Sequence, residues 1–75
     1  MPAEVRALRI TVNGRTQLIE VAGRPTVTSA IDALGLQGKR IAVERNGEIV
    51  SRSQYGDTVI EEGDRLEIVG AVGGG

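Results

Sequence analysis

Near its start the chain reads Leu8-Arg9-Ile10-Thr11-Val12-Asn13-Gly14. Apolar and polar residues alternate over the first five positions, which is the period of a strand with one buried face. Asn-Gly is favoured in the type I′ turn of a β-hairpin, because both positions of that turn require positive φ. The stretch therefore predicts a strand, a tight turn and an antiparallel return over residues 16–21, in which Ile19 and Val21 face the core.

A helix is predicted after this hairpin. Gly23-Arg24-Pro25 interrupts the sheet, and Thr26 has the side chain of an N-terminal cap. Four apolar residues then follow at helical spacing and form one stripe: Val27, Ala30, Ile31 and Leu34. Gly35 suits the left-handed position that ends a helix, and Leu36 is expected to contact Ile31 one turn back, as in a Schellman cap.

A second hairpin repeats the Asn-Gly signal, with strands over residues 41–45 and 48–50 on either side of Asn46-Gly47. A polar segment follows over residues 51–57, and Tyr55 is expected to anchor it at the edge of the core. A short apolar run over residues 58–60 leads to a turn at residues 61–64. The final strand is predicted over residues 65–69, with Leu66 and Ile68 on one face.

This order of elements predicts an α+β fold in which one main helix covers one face of a mixed sheet of four to five strands. A right-handed crossover places the last strand beside the first, in the middle of the sheet. That arrangement is the β-grasp, or ubiquitin-like, fold. We expect the β-grasp domain to span residues 1–69 and a flexible, glycine-rich C-terminal tail to span residues 70–75.

The composition argues against several classes of function. The 75-residue chain has room for one small domain, and its net charge of −1 and single aromatic residue argue against nucleic-acid binding. It has no cysteine and no histidine, which removes the thiolate and imidazole groups that most nucleophilic, acid–base and zinc chemistry requires. No apolar run approaches the roughly 20 residues that span a bilayer, and no leader-like segment precedes the domain, so a cytoplasmic protein is expected.

Acidic residues near the last turn could suggest a metal site. Glu61-Glu62-Gly63-Asp64 contains three carboxylates. Gly63 indicates a turn, and no further acidic cluster completes a ligand set, so we expect no metal site there.

The sequence ends in Ala71-Val72-Gly73-Gly74-Gly75. Glycine has no Cβ, so such a segment can pass through a narrow protein channel and present its end to an active site. Six extended residues from Gly70 reach roughly 20 Å. Val72 is either a docking anchor or a side chain that packs on Val69. The plain alternative for the whole segment is a frayed end or linker.

Several stretches occur in a distinctive order ahead of these glycines: residues 41–50, Arg52-Ser53, residues 63–69, Val72 and Gly74-Gly75. Together they resemble the ThiS family, the sulfur carriers of thiamine biosynthesis, and the helix opened by Thr26-Val27 fits as well. The small subunit of molybdopterin synthase shares the fold and the tail but is less similar over residues 41–52. This chain departs from the ThiS pattern in having Tyr55 where Trp is common, a third terminal glycine and a longer start over residues 1–7.

The resemblance implies a role as a recycled cosubstrate and not as an enzyme. A ThiF-like adenylyltransferase of the ubiquitin-activating type would use ATP to adenylate the Gly75 carboxylate, with Val72, Gly73 and Gly74 in the partner active site. Sulfur from a persulfide, supplied by a source such as a cysteine desulfurase, would displace AMP and leave a thiocarboxylate at Gly75. A ThiG-like thiazole synthase would then take the sulfur into the thiazole ring of thiamine. No cofactor would be bound by the carrier itself.

The sheet face that the helix leaves uncovered is the expected docking face, with Val69, Arg65 and Glu67 as its candidate residues. For the two charged residues the plain alternative is an ordinary solvated surface. Two other functions stay open. One is a carrier for another pathway, such as molybdopterin synthesis, or a ubiquitin-like protein modifier. The other is a β-grasp interaction domain with an inert tail. The sequence also leaves open whether the exposed sheet edge pairs with a second copy.

Overall fold

The computed structural model describes residues 4–70. Their elements, in chain order, are β1 (Val5–Val12), β2 (Arg15–Ala22), α1 (Val27–Ala33), β3 (Ile41–Arg45), β4 (Glu48–Val50), a 3₁₀ turn (Arg52–Gln54) and β5 (Arg65–Gly70). The strands form one five-stranded sheet in the order β2-β1-β5-β3-β4. The predicted β-grasp arrangement is confirmed, because β5 runs parallel to β1 and antiparallel to β3 at the centre of the sheet.

Both Asn-Gly hairpins form as predicted. β1 and β2 pair from Val5 opposite Ala22 to Val12 opposite Arg15, so the first hairpin is longer at its open end than the predicted strands. Asn13 and Asn46 both adopt positive φ, 51° and 52°. Asparagine tolerates this left-handed region better than other residues with a Cβ, which explains why it precedes glycine at both turns.

The predicted caps of the helix are also confirmed. The backbone N–H of Ser29 donates to Thr26 Oγ1 at 3.3 Å, and the N–H of Thr26 donates to Ser29 Oγ at 3.2 Å, which is a reciprocal capping box. At the other end Gly35 has a φ of 74° and the N–H of Leu36 donates to the Ile31 carbonyl at 2.9 Å. These contacts make the Schellman motif and confine α1 to two turns.

One hydrophobic core lies between α1 and one face of the sheet. Its buried side chains come from every strand, from α1 and from the loop before β5: Leu8, Ile10, Val12, Ile19, Val21, Val27, Ala30, Ile31, Val43, Val50, Ile60, Leu66 and Ile68. Tyr55 packs half-buried at the edge of this core, as predicted, and its hydroxyl donates to the Ile41 carbonyl at 3.4 Å. The apolar run over residues 58–60 contributes Ile60 to the core and an isolated bridge between Thr26 and Val59.

The pairing of β1 with β5 is extended by a side chain. The backbone ladder between these parallel strands covers only Thr11 with Arg65 and Val12 with Leu66, because β1 then enters its turn. Beyond it, Asn13 Nδ2 donates to the Ile68 carbonyl at 2.8 Å and Asn13 Oδ1 accepts from the Ile68 N–H at 2.7 Å. The side-chain amide thus takes the place of a backbone peptide and satisfies both polar groups of a residue in the middle of β5.

We expect Asn13→Gly to lower the free energy of unfolding by about 1–2 kcal/mol, because it removes two hydrogen bonds to Ile68 but keeps a residue suited to positive φ. Asn13→Asp retains the acceptor for the Ile68 N–H but places a carboxylate oxygen against the Ile68 carbonyl oxygen, so its stability should also lie below that of wild type. Urea denaturation of the three chains measures the order. Equal stability of wild type and Asn13→Gly would show that the amide bridge contributes nothing.

Candidate functional site

The predicted sulfur-attachment segment begins where the described structure ends. Val72, Gly73, Gly74 and Gly75 lie outside the described residues, so their predicted roles stay predictions. Gly70 is the last residue of β5 and pairs with Ile41 in β3, which places it in the sheet and not in the tail. The segment that follows therefore leaves from the central strand of the fold.

The three predicted docking residues occupy one face of β5. Arg65, Glu67 and Val69 are exposed and alternate with the buried residues Leu66 and Ile68. They consequently project from the sheet face turned away from α1, which we call the outer face. Val69 is 58% exposed, a high value for a valine in a central strand. Their placement fits the predicted docking face, and their role in binding stays a prediction.

The strand register brings further residues to this face that the sequence alone did not identify. Val69 lies opposite Ala42, and Glu67 lies directly opposite Glu44 in the β3–β5 pair. Glu44 in turn lies opposite Ile49 of β4, which is 80% exposed. Like charges directly opposite each other destabilise a sheet. Within residues 4–70 neither glutamate forms a salt bridge, so the outer face combines exposed apolar groups with two acidic side chains on neighbouring strands.

Asp64 has a structural role that the sequence interpretation missed. The turn at residues 61–64 was predicted, but its aspartate is buried with only 7% of its surface exposed. Its carboxylate accepts hydrogen bonds from Arg45 Nε at 2.7 Å, from the Glu61 N–H at 2.7 Å and from Asn46 Nδ2 at 3.1 Å. Asn46 Oδ1 also accepts from the Arg65 N–H at 2.8 Å. This polar cluster joins the second Asn-Gly turn to the first residue of β5.

The cluster alters the acidity of both charged members. Burial acts to raise the pKa of Asp64, but the hydrogen bonds from Arg45, Asn46 and the Glu61 backbone outweigh it and lower that pKa from the ordinary value of 3.8. The hydrogen bond to Asp64 raises the pKa of Arg45. At neutral pH the aspartate is thus ionised, and both of its oxygens accept hydrogen bonds that hold the turn.

No group of three or more acidic side chains in residues 4–70 is arranged to hold a metal ion. Over the same residues no helix has the length and apolar character needed to cross a membrane.

The chain is similar to known proteins over most of its length. The model of the ThiS family matches residues 4–75. The crystal structure of the thiamine biosynthesis protein ThiS from Geobacter metallireducens superposes with a TM-score of 0.75 at 33% identity, and the match covers 91% of this chain and 100% of that one.

Two curated relatives, both named thiazole synthase, are each 37% identical over 68 residues. They come from Paramagnetospirillum magneticum and Magnetococcus marinus. The aligned region covers 91% of this chain but only 20% of each relative. This chain therefore spans one segment of those longer proteins.

We expect Asp64→Asn to lower the free energy of unfolding at pH 7 by about 2 kcal/mol, because it removes a charged acceptor from three hydrogen bonds. The lowered pKa means that the ionised carboxylate stabilises the fold above about pH 4 and that this contribution is lost as the pH falls through the folded-state value. The stability difference between wild type and Asp64→Asn should accordingly shrink in acid. Denaturation at a series of pH values measures it, with exposed Asp57→Asn as the matched control. A difference that stays constant down to low pH would contradict the assignment.

We expect Glu67→Gln to stabilise the fold by a few tenths of a kcal/mol, because it removes a like-charge pair across β3 and β5. The gain should fall in 1 M NaCl, where the screening length is about 3 Å. Glu20→Gln is the matched control, since Glu20 is an exposed strand glutamate that lies opposite Ala7. An equal gain in both variants would mean that the pairing with Glu44 has no energetic effect.

Proposed function

The chain belongs to the ThiS family, and from that membership we propose that it is a sulfur carrier for the synthesis of the thiazole ring of thiamine. The observation that supports this most directly is the extent of the family match, which runs through the whole described domain and on through Gly75. The similarity to the Geobacter metallireducens ThiS structure over that protein's full length supports the same function.

The proposed chemistry takes place at the Gly75 carboxylate, which is ionised at neutral pH and is therefore a poor electrophile. A ThiF-like adenylyltransferase joins it to AMP from ATP and releases pyrophosphate. The terminal sulfur of a persulfide, formed by a cysteine desulfurase, bonds to the carbonyl carbon as AMP leaves. A thiol then cleaves the sulfur–sulfur bond, and a thiocarboxylate stays on Gly75. One oxygen of the carboxylate has been replaced by sulfur.

The composition of the chain fits this assignment of the chemistry to partner enzymes. Catalysis is assigned to the partners because the chain supplies neither histidine nor cysteine, the side chains that most often carry acid–base and nucleophilic chemistry. The domain contributes a surface for recognition, and the proposed tail, with Val72, Gly73 and Gly74, enters the partner active site. The protein is then a cosubstrate that is regenerated in each cycle.

The outer face is the proposed contact with the adenylyltransferase. Val69 is an exposed apolar residue next to the end of β5 and lies two residues beyond Glu67 on the same face. Arg65 stands at the start of the same strand. A partner surface that covers this row would bury Val69 and approach the Glu44–Glu67 pair, whose repulsion a basic partner side chain would relieve.

The thiazole synthase names of the two curated relatives support a ThiG-like thiazole synthase as the sulfur acceptor. Because this chain corresponds to about one fifth of their length, the activity named for those proteins enters here only as the step that follows the carrier.

The function is tested by intact-protein mass spectrometry of the 75-residue chain after incubation with the ThiF-type adenylyltransferase of the same genome, ATP, cysteine and a cysteine desulfurase. We expect a mass gain equal to the replacement of one oxygen by one sulfur, absent without ATP and absent from a chain lacking Gly75. Addition of the thiazole synthase with its small-molecule substrates should return the original mass.

Two results would contradict the proposal in different ways. The absence of any adenylate or mass gain, with an enzyme that activates another carrier under the same conditions, would remove the carrier role. A mass gain that the thiazole synthase cannot discharge would keep the carrier role and remove the thiamine assignment.

A further inference from the structure

A groove of about 470 Å³ opens at the end of the molecule where α1 stops and β3 begins. Its apolar lining includes Ile31, Leu36, Ile41 and Tyr55, and the last three are only partly buried against the core. The core therefore reaches the surface here. The volume falls in the range of about 300–1,000 Å³ that is usual for ligand-binding clefts.

The charged residues that line the groove are mostly basic. Lys39, Arg40 and Arg52 contribute three positive charges, against one negative charge from Asp32. All four side chains are exposed, and among the described residues none of the three cations forms a salt bridge. The chain as a whole carries a net charge of −1, so the groove is a positive region on a slightly negative protein. Such a local field attracts and orients negatively charged partners.

The groove also borders the place where the described chain ends. Ile41, one of its lining residues, pairs with Gly70 at the end of β5. A partner that contacts the end of β5 would therefore lie beside this groove. The groove is distinct from the outer face. Ile41 alternates with exposed Ala42 and lies, like buried Val43, on the helix side of the sheet.

We propose that this groove docks an acidic surface segment of the adenylyltransferase, with carboxylates beside Lys39, Arg40 and Arg52 and an apolar side chain on the floor formed by Leu36, Ile41 and Tyr55. The inference rests on the proposed function, since it takes from it that the tail enters this enzyme. The partner then contacts the carrier on both faces of the sheet, next to the end of β5. Charge at the groove sets chiefly how readily the two proteins associate.

The test compares two charge-reversed carriers as substrates of the adenylyltransferase, with pyrophosphate release as the readout. Arg40→Glu with Arg52→Glu reverses two cations of the groove. The matched control, Arg15→Glu with Arg24→Glu, makes the same change in net charge at two exposed arginines that do not line it. We expect the groove variant to raise the KM for the carrier by about tenfold relative to the control, with kcat little changed, because charge reversal weakens association and not the chemical step.

Two further variants separate charge from shape. Arg40→Lys with Arg52→Lys keeps the positive charge and should keep the KM near that of wild type. Asp32→Asn removes the one carboxylate of the groove and should lower the KM. Added NaCl should raise the KM of wild type more steeply than that of the groove variant, because screening acts on the attraction that the variant has lost. Equal thermal unfolding of all variants, whose changed residues are exposed, is the folding control.

The outcomes are distinguishable from a failure of the proposed function. Wild-type carrier that supports no pyrophosphate release overturns the sulfur-carrier proposal and this inference together. Active wild type with equal KM values for the groove variant and its matched control overturns the docking groove alone.

Discussion

The fold depends on holding β5 in one register between two neighbours that run in opposite directions. On one side β1 offers a parallel ladder of only two residue pairs before it turns back, and on the other side β3 offers five antiparallel pairs. Parallel pairing is the weaker of the two per residue. The short side is completed by the Asn13 amide on Ile68, and the start of β5 is fixed by Asn46 and Asp64. Two turns that close hairpins locally thus also hold a strand that lies far away in the sequence.

Much of this fold was predictable from local sequence signals, because each of them has a local physical cause. Asn-Gly fixes a hairpin through its φ preference, and Thr26 and Gly35 fix the ends of α1 through capping. The order of elements then leaves few topologies open, and the central position of β5 follows. The contacts of Asn13 with Ile68 and of Asn46 with Asp64 were not predictable in this way. They join residues distant in sequence, and the same asparagines are fully explained by their turns.

The candidate site was predictable to a different extent. Alternation along β5 is enough to place Arg65, Glu67 and Val69 on one face. The Glu44–Glu67 pair can be identified only from the register of β3 against β5. The positive groove can be identified only when the fold brings three separate segments of the chain together. Within residues 4–70 neither the Glu44–Glu67 pair nor the groove cations form a salt bridge, so these charges add no ion pair to the stability of the domain. Their proposed use is contact with the adenylyltransferase.

The hydrogen bonds that Asn13 and Asn46 make to β5 also connect the stability of the fold with the proposed function. A slip of one residue in β5 would move Gly70 by about 3.3 Å and turn Glu67 toward the core and Ile68 toward solvent. Arg65 and Val69 would turn away from the outer face together with Glu67, so the proposed docking face would be lost. Asn13 fixes the register at Ile68, in the middle of β5, and Asp64 with Asn46 fixes it at the start. The Asn13 and Asn46 amides and the buried Asp64 carboxylate cannot change partners without loss of hydrogen bonds, so they keep the proposed docking residues on the outer face.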